Sequence, residues 1–179
     1  MIRRTPNGLP KIASTAYISD SAEIVGNVVI EDDVFIAPHA TLRADEPGSS
    51  IIIRSGCNVQ DGSIVHALSG SLAEIGRRST LGHGCIVHGP CTIGEESFVG
   101  FGTVIFKSKL GERCFVMHRA VIYNVEVPPN SFVKIGQILE DPKGVENLPM
   151  VPEEYASFAG NVINMNLMLA RSYSEYARG

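Results

Sequence analysis

The sequence predicts an all-β fold, a parallel β-helix built from hexapeptide repeats and followed by one C-terminal α-helix. Three observations predict it: large aliphatic residues recur every six positions, small residues recur four positions after them, and a helical pattern replaces both near the C-terminus. Valine and isoleucine dominate the apolar residues, and tryptophan is absent. The length of 179 residues suits a single domain.

The aliphatic residues keep their six-residue phase over most of the chain. An even period keeps them on one face of a strand, but an ordinary strand has no reason to repeat it so often. A solenoid explains the repeat, because each hexad forms one side of a triangular coil and its aliphatic residue fills the interior. The positions are Ile18, Ile24, Ile30, Ile36, Leu42, Ile53, Val59, Val65, Ile75, Leu81, Val87, Ile93, Val99, Ile105, Leu110, Val116 and Ile122.

The position four residues after each aliphatic is nearly always small, which indicates a crowded site in the coil. All four cysteines occupy this position, namely Cys57, Cys85, Cys91 and Cys114. We therefore expect them to be small buried residues. Their spacing suits neither a metal site nor a disulfide framework.

The chain divides into three parts. The β-helix is expected over about 12–135, a connecting segment over 136–152, and a helix over about 153–176 that packs on the β-helix. Pro152 and the two glutamates after it suit the start of a helix. The apolar stripe expected to face the solenoid has spacings of three and four residues. It comprises Phe158, Val162, Met165, Leu169 and Tyr173.

Charge and hydropathy argue against two classes of partner. The net charge is −4 and the isoelectric point is near 5.7, which disfavours nucleic acid and anionic membrane surfaces. No apolar run approaches the roughly 18 residues that span a bilayer. We therefore expect a cytoplasmic protein without a nucleic-acid or membrane partner.

Two histidines should lie side by side on the solenoid. Three hexads fall on the same side of successive turns, and the residues after their aliphatics are Arg43, His66 and His88. Neighbouring turns of such a coil lie about 4.8 Å apart. The imidazoles of His66 and His88 can therefore share a metal ion.

A third histidine lies on another side of the triangle. His83 follows Leu81, which is in register with the hexad that carries Gln60 and Asp61. One side of six extended residues spans roughly 16–20 Å, too far for His83 to reach the ion held by the other two histidines of its own chain. We therefore expect a homotrimer in which a neighbouring subunit supplies His83. His39 and His118 are expected to be ordinary surface residues.

With these histidines, and with the segments around Arg43, Gln60 and Asp61, the chain resembles the γ-class carbonic anhydrases, whose prototype comes from methanogenic archaea. The resemblance implies a left-handed β-helix, which departs from the usual right-handed crossover. It also implies His66, His83 and His88 as ligands of Zn²⁺, or alternatively Fe²⁺ or Co²⁺. The substrates would be CO2 and bicarbonate, since a cation with three neutral ligands makes hydroxide available at neutral pH. The matching segments are 42–46, 58–62, 66–68, 83–90 and 104–109, together with Asn166.

The same resemblance assigns further roles. Gln60 would orient the hydroxide, Glu46 would transfer protons, and Asn166 would help to hold CO2. Ion pairs across the subunit boundary would involve Arg43, Asp45 and Asp61.

The chain departs from the prototype in two places. The prototype has a long acidic insertion whose glutamate relays protons, whereas this chain has the short segment 68–73, with Glu74 after it. Asn164 stands where the prototype has a tyrosine. Proton transfer is therefore the step that the sequence leaves open. Two alternatives follow: a metal-binding assembly subunit without CO2 hydration, or an acyl-CoA-related hexapeptide enzyme.

Overall fold

The computed structural model describes residues 1–176 and shows a parallel β-solenoid of about eight turns followed by one α-helix. This confirms the predicted architecture. Each turn contributes one short strand to each of three parallel sheets, which form the three sides of the coil.

The strands are two to four residues long, and every named pairing is parallel. The first sheet contains β1 (Ile2–Arg3), β4 (Glu23–Gly26), β7 (Thr41–Ala44), β10 (Ile64–His66), β13 (Ile86–His88), β16 (Val104–Phe106), β19 (Val121–Tyr123) and β22 (Ile138–Leu139). The second contains β2 (Lys11–Ile12), β5 (Val28–Ile30), β8 (Ser50–Ile53), β11 (Leu72–Ile75), β14 (Cys91–Ile93), β17 (Lys109–Leu110) and β20 (Glu126–Val127). The third contains β3 (Tyr17–Ile18), β6 (Phe35–Ile36), β9 (Asn58–Val59), β12 (Thr80–Leu81), β15 (Phe98–Val99), β18 (Phe115–Val116) and β21 (Phe132–Val133).

The hexad aliphatics form the interior of the coil. From Ile24 to Ile122 they are at most 2% exposed, while Ile18, near the open N-terminal end, is partly buried. The strands reach beyond the expected range of 12–135, since β1 pairs with β4 and β22 with β19. The segment after β22 contains a short 3₁₀ turn, Pro142–Gly144.

The small residues four positions later are buried, and the serines among them hydrogen-bond to the next turn. The hydroxyl groups of Ser63, Ser79 and Ser97 donate to backbone carbonyls of that turn at 2.8–2.9 Å. The four cysteines are buried and form no disulfide, as predicted. Burial raises the pKa of the Cys57 thiol to about 12.

The outer faces of the three sheets differ in chemistry. The second sheet presents ion pairs such as Lys109 with Glu126. The third presents aromatic rings, including Phe98 and Phe115 stacked with centroids 4.5 Å apart. The first presents an apolar row and the adjacent His66 and His88, so the three sides of the coil suit different neighbours.

Helix α1 (Glu153–Tyr176) covers the third sheet, but its buried face differs from the predicted stripe. Met165 is 53% exposed, so its predicted place in the stripe is wrong. The sheet already presents large rings, and small helical residues allow the helix to approach them closely. Phe158 then packs beside them, its ring 5.6 Å from that of Phe98. The residues that face the sheet are Ala159, Ile163, Asn166 and Ala170.

Within residues 1–176, no helix combines the length and the apolar character needed to cross a membrane.

Candidate metal centre

His66 and His88 lie side by side on the first sheet. His66 at the end of β10 pairs with Arg43 on one side and with His88 on the other, which confirms the predicted register. The Nδ1 atom of His66 lies 3.0 Å from Nε2 of His88, and the ring centroids are 4.7 Å apart. Phe106 on the next turn packs edge-on against His88 at 4.8 Å.

The surroundings of His66 favour its neutral form. The Arg43 guanidinium lies 3.0 Å from Nε2 of His66, and because a guanidinium can only donate, this nitrogen is the acceptor. Burial lowers the pKa of His66, and the positive charge of Arg43 lowers it further. A neutral imidazole is the form that binds a metal ion.

Glu46 lies beside this pair, in the loop after β7. One of its carboxylate oxygens is 3.3 Å from Nε2 of His66. The other accepts hydrogen bonds from the hydroxyl and the backbone N–H of Ser69, at 2.9 and 2.8 Å. These bonds lower the pKa of Glu46 below its usual range. The short segment 68–73 therefore holds the carboxylate that the sequence assigned to proton transfer.

Glu74, the acid nearest to that segment in sequence, is held elsewhere. Its carboxylate accepts from Arg54 at 2.7 Å on the outer face of the second sheet. Arg54 also donates to Glu31 at 2.8 Å. Glu74 is therefore part of an ion-pair ladder on a different side of the coil from Glu46.

His83 lies in the turn after β12, at the corner between the third and first sheets. Its Nδ1 atom is 3.0 Å from the carboxylate of Asp61, one turn away. Its ring packs on Phe101 at 5.0 Å, and Phe101 stacks on His118 at 4.4 Å. The backbone N–H of Phe101 donates to Nδ1 of His118.

A surface hollow of about 500 Å³ connects His83 with three other candidate residues. Gln60, Asp61, His83 and Asn166 line it together, although Asn166 belongs to the helix. Asn166 is buried and donates to the carbonyl of Val162 at 2.9 Å. The Oε1 atom of Gln60 is buried and has no hydrogen-bond partner among the described residues.

The remaining predicted residues have other contacts. Arg43 lies 3.7 Å from Asp45, whereas within this chain Asp61 pairs with His83. Asn164 is exposed and accepts from Arg78 at 3.4 Å. His39 is exposed in a turn with a positive φ of 60°.

The sequence reasoning gave no role to Asn58 or Ser69. Asn58 is fully buried beneath the helix, its Nδ2 atom donates to Thr80 at 2.9 Å, and its Oδ1 atom has no partner among the described residues. An asparagine at the position in register with Tyr17 and Phe35 is a signal that could have identified it. Ser69 carries no such signal, because its loop position resembles an ordinary turn.

The candidate residues thus form two groups on one chain. The ridge group, on the first sheet, comprises Arg43, Asp45, Glu46, His66 and His88. The corner group, at the hollow, comprises Gln60, Asp61, His83 and Asn166. Within residues 1–176 no three His, Cys, Asp or Glu side chains of the single chain gather as a metal site.

The imidazole pair fits a divalent metal ion. Two nitrogens bound at 2.0–2.1 Å in tetrahedral geometry lie about 3.3 Å apart, close to the 3.0 Å between Nδ1 of His66 and Nε2 of His88. A metal ion bound by this pair would require the His66 proton to be on Nε2, where the Glu46 carboxylate 3.3 Å away can accept it. The buried and unpartnered oxygen of Gln60 also fits a small polar ligand in the hollow.

Comparisons with known proteins agree on the repeat. The family described as bacterial transferase hexapeptide (six repeats) matches residues 73–107. The carbonic anhydrase of Methanosarcina thermophila is 32% identical over 93% of this chain and 75% of its own length. The carboxysome assembly protein CcmM of a Nostoc strain is 35% identical over 91% of this chain, which spans only 31% of that protein.

A solved structure extends the likeness to the fold. The hexapeptide transferase family protein from Anaplasma phagocytophilum has a TM-score of 0.80 and 25% identity, and the match covers 97% of this chain and 98% of that one.

Proposed function

The chain belongs to the γ-class carbonic anhydrase-like family of hexapeptide-repeat proteins, and from this premise we propose that it hydrates CO2 reversibly to bicarbonate at a metal site shared between subunits. One observation carries the proposal. His66 and His88 lie 3.0 Å apart on one sheet, while His83 lies at a corner of the coil with Gln60 and Asn166. Each chain therefore holds two complementary parts of one site.

The outer face of the first sheet supports a homotrimer. Beside the histidines it carries an apolar row that runs along the coil, and Ile64 is 39% exposed and Ile138 62% exposed. An exposed apolar face of this kind marks a contact surface. A second copy of the chain would cover it and the histidine pair together. The row comprises Ile64, Ile86, Val104, Val121 and Ile138.

The heights of the residues along the coil support the same assembly. His83 lies on the stretch of coil between His66 and His88. A threefold axis parallel to the solenoid keeps equal heights opposite one another. A neighbouring copy would therefore present its His83 at the level of the His66 and His88 pair.

The site residues would have different roles in the reaction, and the three histidines with Asp61 would hold the metal ion. A divalent cation, when bound, supplies a Lewis acid that brings the pKa of water to about 7. His66, His83 and His88 would hold it as neutral donors, and Zn²⁺, Fe²⁺ and Co²⁺ all suit such ligands. Asp61 would orient His83 through Nδ1, because a carboxylate at that nitrogen fixes the ring and leaves Nε2 to the cation.

Gln60, Asn166 and Glu46 would act on the reactants. Gln60 has an uncommitted amide oxygen in the hollow and would orient the attacking oxygen by a hydrogen bond. The amide of Asn166, on the opposite wall, would position CO2. Glu46, which lies beside His66, would accept the proton that hydration releases and pass it to buffer.

Stopped-flow CO2 hydration tests the proposal. Protein loaded with Zn²⁺, and separately with Fe²⁺ under anaerobic conditions, is expected to hydrate CO2 faster than buffer. His83→Ala is the matched inactive variant, and His118→Ala is the control because it lies on the same corner two turns away. No rate above buffer at full occupancy with either metal would contradict the proposal.

The second candidate is a metal-binding assembly subunit without turnover. It is favoured by the Nostoc relative, whose name describes carboxysome assembly, and by the absence of an acid in segment 68–73. In that case the protein would bind metal and form trimers, but would remain inactive in the hydration assay.

A further inference from the structure

We propose that Asn7, in the N-terminal arm, is a positioning residue that holds the backbone of Glu46 so that its carboxylate faces His66 and Ser69. The inference rests on the proposed role of Glu46 in proton transfer. The N-terminal arm is residues 1–10, and the loop that it holds is residues 44–49. The two are joined by one carboxamide.

Asn7 bonds to this loop at both ends. Its Nδ2 atom lies 2.9 Å from the carbonyl oxygen of Ala44 and 2.8 Å from that of Ser49. Its Oδ1 atom accepts from the backbone N–H of Gly48 at 2.9 Å. An NH₂ group has two protons, so the two carbonyl contacts use both of them, and Oδ1 accepts one further hydrogen bond.

Ser49 passes this restraint to Glu46. It is fully buried, and its hydroxyl donates to the carbonyl oxygen of Glu46 at 2.7 Å, while its backbone N–H donates to the same oxygen at 3.1 Å. The Oγ atom of Ser49 also lies 3.1 Å from Nδ2 of Asn7. A continuous set of hydrogen bonds therefore leads from Asn7 through Ser49 to the backbone of Glu46.

Ser69 completes the restraint from the other side. It donates two hydrogen bonds to the carboxylate of Glu46, while Ser49 holds the backbone of the same residue. A glutamate side chain that is held at only one end would sample several rotamers. With both ends held, its second carboxylate oxygen stays 3.3 Å from His66.

Besides the pairing of β1 with β4 and the ion pair of Arg3 with Glu23, the arm has little attachment to the core. None of residues 1–10 is fully buried, and the arm places no large apolar side chain inside the coil. Its own turn is closed by hydrogen bonds between Thr5 and Gly8, which orient Asn7 toward the loop. Loss of the Asn7 side chain should therefore loosen the loop more than it unfolds the solenoid.

Amide hydrogen exchange of metal-free protein, read by NMR, tests this coupling. In Asn7→Ala, exchange at Gly48 should rise because its partner is removed. Exchange at Ser69, which does not contact Asn7, should rise about tenfold because Ser49, which holds Glu46, has lost its contacts with Asn7 and the loop is less restrained. Phe98 in the third sheet should stay protected. A rise at Gly48 with none at Ser69 would overturn the inference.

Two further variants keep the test decisive. Arg4→Ala, an exposed change in the same arm, should leave Gly48 and Ser69 unchanged. If Asn7→Ala does not fold, Ser49→Ala breaks the same path one step later and should also raise exchange at Ser69. Unchanged exchange at Ser69 in that variant would refute the coupling.

Kinetics then separate positioning from a purely structural effect. In metal-loaded protein Asn7→Ala should lower kcat about tenfold with little change in kcat/KM, and imidazole buffer should restore kcat because it replaces the internal proton carrier. A loss of kcat that imidazole does not restore would contradict the inference. If wild-type protein shows no turnover, the proposed function fails, and the exchange experiment still decides the coupling.

Discussion

The carboxylate of Asp61 lies 3.0 Å from Nδ1 of His83, one turn of the coil away. This contact fixes which nitrogen of His83 can face a neighbouring subunit, because Nδ1 is committed to the carboxylate. The family resemblance had assigned Asp61 to an ion pair with Arg43 across the subunit boundary. Within the chain Asp61 contacts His83, and in the proposed assembly it would orient that histidine for the shared site, while the ion pair with Arg43 across the boundary stays a prediction.

Gln60→Ala should reduce turnover without removing metal. Gln60 lines the hollow near His83, and its amide oxygen is buried without a partner among the described residues, but it is not among the proposed ligands. Loss of one oriented hydrogen bond to the reacting oxygen should lower kcat/KM on the order of 10²-fold. Stopped-flow rates and elemental analysis of the same sample measure both effects. Asn164→Ala, an exposed change on the helix, serves as the control. Metal loss in Gln60→Ala would contradict the assignment.

Arg43→Ala should weaken the trimer. Arg43 lies on the outer face of the first sheet, 3.0 Å from His66 and 3.7 Å from Asp45. In the proposed assembly this face meets another subunit, so loss of its charge should raise the dissociation constant of the trimer about tenfold or more. Sedimentation at several protein concentrations measures it.

The control for Arg43 is Lys109→Ala. Lys109 forms an exposed ion pair with Glu126 on the second sheet, a face that the proposal leaves in solvent. Sedimentation of this variant should match the wild type. If Lys109→Ala dissociates the assembly and Arg43→Ala does not, the subunits meet through a different face.

Glu31→Gln should lower stability at neutral pH but not in acid. Burial alone would raise the pKa of Glu31, but hydrogen bonds from Arg54 and Ser55 outweigh it and lower the pKa below 4.5. A carboxylate with a lowered pKa in the folded chain stabilises it fully above its ordinary pKa, and the contribution is lost as pH falls through the folded value. The variant should therefore lose about 1 kcal/mol at pH 7, measured by denaturant unfolding.

The same measurement in acid, at a pH below the folded pKa of Glu31, should show little difference between Glu31→Gln and the wild type. Glu126→Gln, in an exposed pair on the same sheet, should have little effect at either pH. A constant loss at both pH values would mean that Glu31 acts by packing and not by its charge.

The cysteines should be unreactive in the folded protein. Burial raises the pKa of Cys57, Cys85 and Cys91 to about 12 and that of Cys114 to about 11. At pH 8 the thiolate fraction is therefore about 10⁻³ or less. A chromogenic disulfide reagent should modify all four thiols in denaturant and react slowly without it. Rapid reaction of a native thiol would place that residue at the surface.

The repeat could be predicted from the sequence because one side chain per hexad meets the same physical demand. The burial of the hexad aliphatics from Ile24 to Ile122 follows from that period, and the pairing of Arg43, His66 and His88 follows from counting sides of the coil. The separation of His83 onto another corner follows from the same count. Regular backbone thus gives predictable neighbours.

Contacts between irregular segments of backbone could not be predicted from the repeat. The contact of Glu46 with Ser69 joins two loops, and that of Asn7 with Ser49 joins an arm to a loop 42 residues away. No period relates these pairs. The buried face of the helix could not be predicted from spacing either. Spacing identified apolar positions such as Met165, but the residues that pack on the aromatic rings of the sheet include the small Ala159 and Ala170.

Metal content of mixed trimers tests the shared site most directly. His66→Ala and His83→Ala should each fold and bind no metal, since each removes one part of every site. When the two variants are unfolded, mixed and refolded together, each mixed trimer should regain about one site in three, where an intact ridge meets an intact His83. Elemental analysis after dialysis against Zn²⁺ would show this recovery. Absence of metal from mixed trimers, or full metal content in His83→Ala alone, would contradict the account.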